Sequence, residues 1–212
     1  MKFYFKFCCG IVTSLLAAIS LQAEAGGDTA VGQSKGAICA ACHGADGNST
    51  VPQWPKLAGQ HPDYLLRQFN LIKAGARSVP EMSGIVPGIN EQDAGDIAAW
   101  FASQQMSGGV AGESAVFEGE RLWRAGNAKS GTPACMSCHG AAGEGNPLAG
   151  YPRLAGQHSV YTASMLKRFR GGENWGAKDA PSHVMDGVAA ELTDGEIDAL
   201  ASFIQGLYRA AN

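Results

Sequence analysis

Two copies of a short cysteine motif constrain this chain more than any other feature. Each has the form Cys-x-x-Cys-His, and the second copy follows the first after 96 positions. Two thiols separated by two residues can form thioethers with the two vinyl groups of one haem, and the next imidazole then ligates the iron. The motifs therefore predict two covalently attached haem c groups. Their residues are Cys39, Cys42 and His43 for one, and Cys135, Cys138 and His139 for the other.

Three other kinds of site share the spacing of the two thiols. A bare Cys-x-x-Cys is also found in redox dithiols, in half of a zinc site and in reducible disulfides. The histidine directly after each second cysteine favours haem, because a haem iron needs that imidazole and the alternatives do not. Export also favours haem, since unpaired thiols would oxidise outside the cytoplasm.

The first 25 residues have the form of a secretory signal. Two lysines precede an apolar stretch at 11–21, and residues 23–25 have the small-x-small pattern of a cleavage site. The stretch is too short to cross a bilayer, so we expect it to be removed. Cys8 and Cys9 precede the stretch, whereas a lipid-modified cysteine would follow it. The sequence therefore predicts a periplasmic protein whose remaining four cysteines all lie in the two motifs.

Charge and length exclude some classes of protein. The chain has 16 basic and 19 acidic residues and a formal net charge of −3, with no basic patch interleaved with aromatic residues. We therefore expect no nucleic-acid partner. The length suits one medium domain or two small ones, and a small helical domain needs the apolar macrocycle of a haem to complete its core.

A second repeated segment indicates a tandem duplication. Residues 55–61, PKLAGQH, match residues 152–158, PRLAGQH, at an offset of 97. We predict a first domain at 26–104, a linker at 105–114 and a second domain at 115–212. The linker contains glycine and serine, so it can bend.

Helical periodicity dominates both halves, and neither has a run of alternating strand pattern. Pro62 suits a first helical turn, Ser159 and Asn90 suit N-caps, and Thr193 with Glu196 forms a capping box. The predicted fold is all-α, with two tandem helical domains that each wrap one haem. The predicted helices are 29–39, 62–74, 91–104, 115–125, 159–169 and 194–207.

Two methionines are candidates for the sixth iron ligand. Met82 and Met185 each lie seven residues before an aliphatic residue that precedes the last helix of its half, so the duplication places them equivalently. Thioether ligation raises the potential and closes the iron to substrates, which favours an electron carrier over an enzyme. The other methionines, Met106, Met136 and Met165, are interpreted as core or surface residues.

The histidines outside the motifs offer one alternative ligand. His61 and His158 follow their motifs closely and precede a predicted helix, so we expect a cap or a structural hydrogen bond from each. His183 lies two residues before Met185, has no counterpart in the first half and remains a rival to that methionine.

The chain resembles the cytochrome c4 family over essentially its whole mature length. The resemblance rests on CAACHGADGNS at 39–49, KLAGQ at 56–60, GYPRLAGQH at 150–158 and ASFIQGL at 201–207. It implies a bacterial periplasmic dihaem protein with two cytochrome c-like domains, related by a pseudo-twofold axis, with haem propionates facing the contact between them. The segment 174–183 does not match the family pattern.

The resemblance also implies the ligand sets. His43 would pair with Met82 at one iron, and His139 with Met185 at the other. Pro55 and Pro152 would accept a hydrogen bond from the imidazoles through their carbonyl groups, which fixes each ring and raises its basicity. The alternative is that both prolines only shape a turn.

The expected function is electron transfer rather than catalysis. Electrons would come singly from a quinol-oxidising complex or a small carrier and pass to a terminal oxidase or reductase. The resemblance implies a haem-copper oxidase, such as the cbb3 type, as acceptor, and leaves open a peripheral association with the membrane. Two alternatives are a dihaem subunit of a periplasmic dehydrogenase, as in flavocytochrome sulfide dehydrogenase, and a dihaem enzyme of the peroxidase or thiosulfate-oxidising type.

Overall fold

The computed structural model describes residues 27–208, so the predicted signal peptide lies outside the described part of the chain. The first half contains α1 (Thr29–Lys35), α2 (Ala40–His43), α3 (Pro62–Lys73) and α4 (Glu91–Ser103), with 3-10 turns at Gly36–Cys39, Pro80–Met82 and Val86–Gly88. The second half contains α5 (Val116–Ala125), α6 (Met136–His139), α7 (Ser159–Arg170), α8 (Ala180–Ala189) and α9 (Asp194–Gly206), with a 3-10 turn at Pro147–Ala149.

The described residues form an all-α structure, which confirms the predicted fold class. Between residues 27 and 208, β-structure is limited to two isolated bridges, Asn127 with Thr132 and Asn146 with Tyr151. Within the same residues, no helix has the length and apolar character needed to cross a membrane.

The first and last helices of each half cross at a glycine. A Cβ on Gly32 of α1 would overlap the carbonyl of Asp96 on α4. A Cβ on Gly119 of α5 would overlap the carbonyl of Ala199 on α9 and lie 2.6 Å from Phe203 Cβ. A residue without a side chain is therefore what lets the two helix axes approach so closely in each half.

Buried apolar side chains sit beneath these crossings. The first half buries one face of α4, and the second half buries residues from α5 and α9 together. The largest of them, Trp123, is fully buried and packs with its ring centroid 6.2 Å from that of Phe203. The buried side chains of these helices include Ala94, Ile97, Ala98 and Phe101 in the first half, and Leu122, Trp123, Ile197, Leu200 and Ile204 in the second.

Most of the predicted caps are present. Asn90 accepts from the N–H of Asp93, and Thr193 and Glu196 form the predicted capping box. Pro62 occupies the first turn of α3 as expected. The assignment of Ser159 as an N-cap was wrong: the cap position is His158, and the Ser159 N–H donates to Gln205 Oε1 at 2.9 Å. The side chain of Gln205 on α9 thus takes the place of an N-cap side chain at the start of α7.

Two helical segments differ from the prediction. A single helix at 29–39 was wrong, because α1 ends at Lys35 and a 3-10 turn continues to Cys39. The Gly36 N–H lies between the carbonyls of Gly32 and Ser34, so the chain tightens there before the first motif. The helix α8 was not predicted; Asp179 caps it by accepting from the Ser182 N–H at 3.1 Å.

The predicted linker makes hydrogen bonds to both halves. Its Ser107 N–H donates to Asn48 Oδ1 in the first half at 2.7 Å. Its Gly112 N–H donates to Ser202 Oγ in the second half at 2.7 Å. Met106 is buried beside Gly156, so the start of the linker also contributes to the contact between the halves.

Candidate metal centres

The imidazole of the first motif is held by a backbone carbonyl. His43 lies at the end of α2, is buried, and donates its Nδ1–H to Pro55 O at 2.9 Å. Because a carbonyl can only accept, this bond places the proton on Nδ1 and leaves the lone pair of Nε2 for a metal. Burial lowers the pKa of His43, partly offset by the bond to Pro55, so the ring is held in the neutral form that ligation requires.

The second motif repeats this arrangement. His139 ends α6, is buried, and donates its Nδ1–H to Pro152 O at 3.0 Å. Burial lowers its pKa in the same way. The Tyr151 ring lies beside it, with centroids 6.0 Å apart. Each half therefore presents one neutral imidazole with a free Nε2.

A glycine loop sets the position of each proline. Gly47 O accepts from the Leu57 N–H at 2.8 Å, and Gly143 O accepts from the Leu154 N–H at 2.8 Å. Both glycines have φ near +70° and lie against the following backbone, where a side chain would not fit. These bonds hold residues 55–61 and 152–158 beneath their motifs. The carbonyls of Pro55 and Pro152, two residues before the leucines, then accept from the motif histidines.

Cys39 and Cys135 directly precede the same short helices, and Cys42 and Cys138 lie within them. Cys39, Cys42 and Cys135 are half-buried, and Cys138 is exposed. Burial raises the pKa of Cys39, and raises that of Cys135 to about 11. The described residues contain no cluster of three or more His, Cys, Asp or Glu side chains placed to hold a metal ion by themselves. The donor set of each motif, two thiols and one imidazole with a free nitrogen, fits a haem c and not a closed zinc site.

The two candidate methionines lie in different local structures. Met82 ends the 3-10 turn Pro80–Met82, and its carbonyl accepts from the Ile85 N–H at 3.0 Å. Met185 lies in the middle of α8 and packs against the apolar core of the second half. Both side chains are half-buried. Their equivalent placement in the sequence thus corresponds to a turn in one half and a helix in the other.

The rival ligand His183 points to a different environment. Its side chain is 44 % exposed, and its Nδ1 lies 3.8 Å from Asp186 Oδ2 on the same face of α8. An exposed imidazole beside a carboxylate is typical of a solvated helix surface. The choice between Met185 and His183 as an iron ligand stays a prediction.

The repeated segments bind each other across the two halves. Gln157 Oε1 accepts from the Lys56 N–H and Gln157 Nε2 donates to Lys56 O, both at 2.9 Å. Gln60 makes the same pair of bonds to the backbone of Arg153, at 2.9 and 2.8 Å. Each glutamine side chain therefore makes a ring of two hydrogen bonds with the backbone N–H and carbonyl of the residue that follows the proline of the other half.

Further bonds surround these rings. His61 donates its Nε2–H to Glu144 O at 2.9 Å, and His158 donates its Nε2–H to Ser49 O at 2.7 Å. The structural hydrogen bond predicted for each histidine is thus confirmed, although neither side chain caps its helix. The buried Lys56 ammonium donates to Ser107 O and Gly156 O.

Sequence reasoning did not assign these contacts between the halves. It identified PKLAGQH and PRLAGQH only as the mark of a duplication. The available signal was the pairing of a glutamine with an adjacent histidine in both copies, since identical polar side chains in a repeat can make equivalent contacts to the other copy across a twofold axis.

Comparison with known proteins agrees with this geometry. The model of the cytochrome c family matches residues 33–105 and again residues 118–208. Cytochrome c4 of Pseudomonas aeruginosa is 48 % identical over 200 residues, which cover 93 % of this chain and 98 % of that protein. A thiosulfate dehydrogenase electron acceptor of Thiomonas intermedia is 33 % identical, covering 79 % of this chain and 77 % of that protein.

A solved structure shares the whole arrangement. The crystal structure of reduced recombinant cytochrome c4 from Pseudomonas stutzeri superposes with a TM-score of 0.82 at 48 % sequence identity. The match covers 86 % of this chain and all of that one. The two helical halves and their relative placement are therefore features that this chain has in common with a dihaem protein.

Proposed function

The chain belongs to the cytochrome c family, as a dihaem electron-transfer cytochrome of the c4 group, and from that premise we propose that it works in the periplasm with both irons ligated by histidine and methionine. It would take single electrons from a quinol-oxidising complex or a small carrier and pass them to a terminal oxidase or reductase. A haem-copper oxidase such as the cbb3 type is the proposed acceptor.

One observation carries the proposal: each half holds a buried neutral imidazole by its Nδ1, through Pro55 in one case and Pro152 in the other. Haem c, when bound, supplies a one-electron iron couple. His43 and His139 would ligate it from one side, with orientations fixed by the proline carbonyls. Met82 and Met185 would ligate it from the other, which would keep water and small substrates from the irons and favour electron transfer over catalysis.

Ligation by sulfur can be tested directly on the intact protein. Ferric haem with a methionine ligand has a weak near-infrared absorption band, and the parent should show it at the strength of two haems. Met82→Ala and Met185→Ala should each remove about half of the band and let the reduced protein bind carbon monoxide. Met136→Leu, which alters a methionine inside a motif, should leave the band unchanged.

The rival ligand gives the opposite pattern. If His183 were the ligand, the parent would show the band at the strength of one haem only, His183→Gln would alter the haem spectrum, and Met185→Ala would leave the band unchanged. A parent protein that binds carbon monoxide at either haem without substitution would contradict the proposal and favour an enzyme with an open iron.

A second candidate donor follows from one comparison. The relative from Thiomonas intermedia is named as the electron acceptor of thiosulfate dehydrogenase. The present chain would then receive electrons from a thiosulfate-oxidising enzyme instead of a quinol-oxidising complex. Rapid-mixing measurement of haem reduction by each purified donor distinguishes the two, since the physiological donor should reduce the protein faster at equal concentration.

A further inference from the structure

One peptide group in the first half is hydrogen-bonded on both of its sides. It joins Pro55 to Lys56. Its carbonyl accepts from the His43 Nδ1–H at 2.9 Å, and its N–H donates to Gln157 Oε1, also at 2.9 Å. Because Gln157 belongs to the second half, an imidazole, a peptide group and a side-chain amide form one chain of hydrogen bonds across the contact between the halves.

The second half has the same chain with the roles exchanged. Its peptide group joins Pro152 to Arg153. The carbonyl accepts from the His139 Nδ1–H at 3.0 Å, and the N–H donates to Gln60 Oε1 at 2.9 Å. Each glutamine therefore contacts the peptide group that holds the imidazole of the half to which it does not belong.

The two glutamine oxygens are buried and fixed in place. Gln60 and Gln157 are each only 5 % exposed. Each Oε1 also accepts from the N–H of the histidine that follows its own residue, at 3.0 Å in both halves. The backbone of each glutamine thus orients its own side-chain oxygen toward the other half, in surroundings where hydrogen bonds polarise one another strongly.

A hydrogen bond from the N–H of a peptide group changes its carbonyl. Donation shifts electron density onto the carbonyl oxygen, and such chains strengthen each bond by about 10–30 %. A stronger carbonyl acceptor makes the imidazole that donates to it a more basic metal ligand. A more basic ligand stabilises ferric iron more than ferrous iron, because the ferric form carries the additional positive charge. The reduction potential therefore falls.

Two other contacts between the halves lie outside these chains. The buried Arg77 donates from Nη2 to Tyr161 Oη at 2.9 Å, and His158 donates to Ser49 O. The second bond of Gln157 is of this kind too, since its Nε2 donates to the carbonyl of the next peptide group. Of the two bonds that the glutamine side chain makes to the other half, the one through its oxygen is the one placed to act on an imidazole.

We propose that Gln60 and Gln157 are positioning residues that act crosswise: the oxygen of each strengthens the hydrogen bond on the imidazole of the other half and lowers the reduction potential of the haem bound there. This inference rests on the proposed function for the two haems and for ligation by His43 and His139. Docking of the two halves is then part of what sets both potentials.

The test compares the intact dihaem protein with Gln157→Leu by spectroelectrochemical titration. Leucine fills the site without an acceptor, so the one-electron equilibrium of the haem at His43 should move about threefold or more toward the ferrous form, a rise of about 28 mV. The haem at His139 should stay within about 1.5-fold of the parent, or about 10 mV. Gln60→Leu should give the mirror result. Unchanged potentials in both variants, or a shift only at the haem of the glutamine's own half, would overturn the proposal.

Proton NMR of the ferrous protein, with histidine labelled by nitrogen-15, identifies the imidazole that is affected. A weaker carbonyl acceptor deshields the donated proton less. The Nδ1–H resonance of His43 should therefore move upfield in Gln157→Leu, and that of His139 should not move. If neither resonance moved, the strength of the carbonyl as an acceptor would not be the cause of a change in potential, and the proposal would fail.

Asn48 offers the matched control. Its side chain makes the same pair of bonds to backbone, since its Oδ1 accepts from the Ser107 N–H at 2.7 Å and its Nδ2 donates to Gln105 O at 2.9 Å. Neither backbone group is bonded to a motif histidine. Both potentials of Asn48→Leu should stay within about 1.5-fold of the parent, or about 10 mV. A rise equal to that of Gln157→Leu would show that loss of any such pair raises the potential, and would overturn the proposal.

Gln157→Glu separates the two bonds of the glutamine. It keeps an oxygen that accepts from the Lys56 N–H and loses the amide that donates to Lys56 O. The potential of the haem at His43 should therefore stay at or below that of the parent. A rise like that of Gln157→Leu would mean that fastening of the halves, and not the acceptor, sets the potential, which contradicts the proposal.

One further variant covers a failure to load haem. If Gln157→Leu does not yield the dihaem protein, Gln157→Asn replaces it, because its shorter amide holds the oxygen too far from the Lys56 N–H, and the same rise is expected. Haem content and the near-infrared band of the parent test the dihaem carrier itself. A failure there contradicts the proposed function, whereas unchanged potentials in a variant with both haems contradict only the role of the glutamines.

Discussion

The side chain of Gln157 closes a ring of two hydrogen bonds on the backbone of Lys56, across the contact between the two halves. Lys56 directly follows Pro55, whose carbonyl accepts from the His43 imidazole. Gln60 holds Arg153 in the same way, next to Pro152. The association of the halves and the orientation of each imidazole therefore depend on the same short stretch of backbone.

The first prediction concerns this ring. Gln157→Ala should lower the free energy of unfolding of the loaded protein by about 2 kcal/mol, because it leaves the buried N–H and carbonyl of Lys56 without partners. Urea unfolding followed by circular dichroism measures the loss. Gln33→Ala, an exposed glutamine on α1, should cost less than about 0.5 kcal/mol. Equal losses of unfolding free energy in the two variants would show that the two hydrogen bonds of Gln157 do not stabilise the protein.

The second prediction concerns the crossing of α5 and α9. Gly119→Ala should destabilise the protein by about 3 kcal/mol or more, since the new methyl group would overlap the carbonyl of Ala199 and force the helices apart. Thermal unfolding measures the change.

The matched control lies in α9 itself. Gly195 has no atom within 4 Å of the position its Cβ would take, so Gly195→Ala should be neutral or stabilise by up to about 1 kcal/mol through helix propensity. If the two alanine variants had the same stability, the close approach of α5 and α9 would not explain the glycine at position 119.

Local features of the chain could be predicted where a residue acts on its own neighbours. Asn90 and the Thr193–Glu196 box satisfy N–H groups within three residues, so their pattern is visible in the sequence. The same holds for Pro62 at the start of α3. Ser159 was wrong because its N–H is satisfied by Gln205, a residue 46 positions away that no local pattern reports.

Some features of the candidate site could likewise be predicted from local patterns, and others depend on distant residues. The motif residues and the two methionines follow from spacing and repetition, and the roles of the methionines remain a proposal. The helix around Met185 was missed because Pro181 and Gly187 weaken its pattern, while Asp179 stabilises its start by a cap. The burial of Arg77 could not be predicted, since it depends on Tyr161 and Trp175 from the other half.

The third prediction concerns the capping box of α9. Thr193→Ala should lower the free energy of unfolding by about 1 kcal/mol, because the Glu196 N–H loses its acceptor at the helix start. Chemical denaturation of the parent and the variant measures the difference. Thr50→Ala, an exposed loop threonine, is the control and should change stability by less than about 0.5 kcal/mol. A loss in the control as large as in Thr193→Ala would mean that capping is not the cause.

The last prediction concerns pH and the two histidines at the contact. Burial is the main reason that the pKa values of His61 and His158 are lowered, and the bonds to Glu144 O and Ser49 O only partly offset it. In the unfolded chain these groups titrate near 6.5. Below that pH the unfolded chain therefore binds more protons than the folded one, so the contribution of these histidines to stability is complete above about 6.5 and is lost as the pH falls toward their folded values.

Replacing both imidazoles removes this dependence. The double variant His61→Gln and His158→Gln should be less stable than the parent at pH 7.5, and the difference should shrink steadily toward pH 5. Because both side chains are half-buried, solvent screening keeps the pH-dependent part small. Urea unfolding at half-unit intervals of pH measures it, with His183→Gln as a control for loss of an imidazole outside the contact. A difference that stayed constant or grew on acidification would show that neither histidine is held neutral by the folded protein.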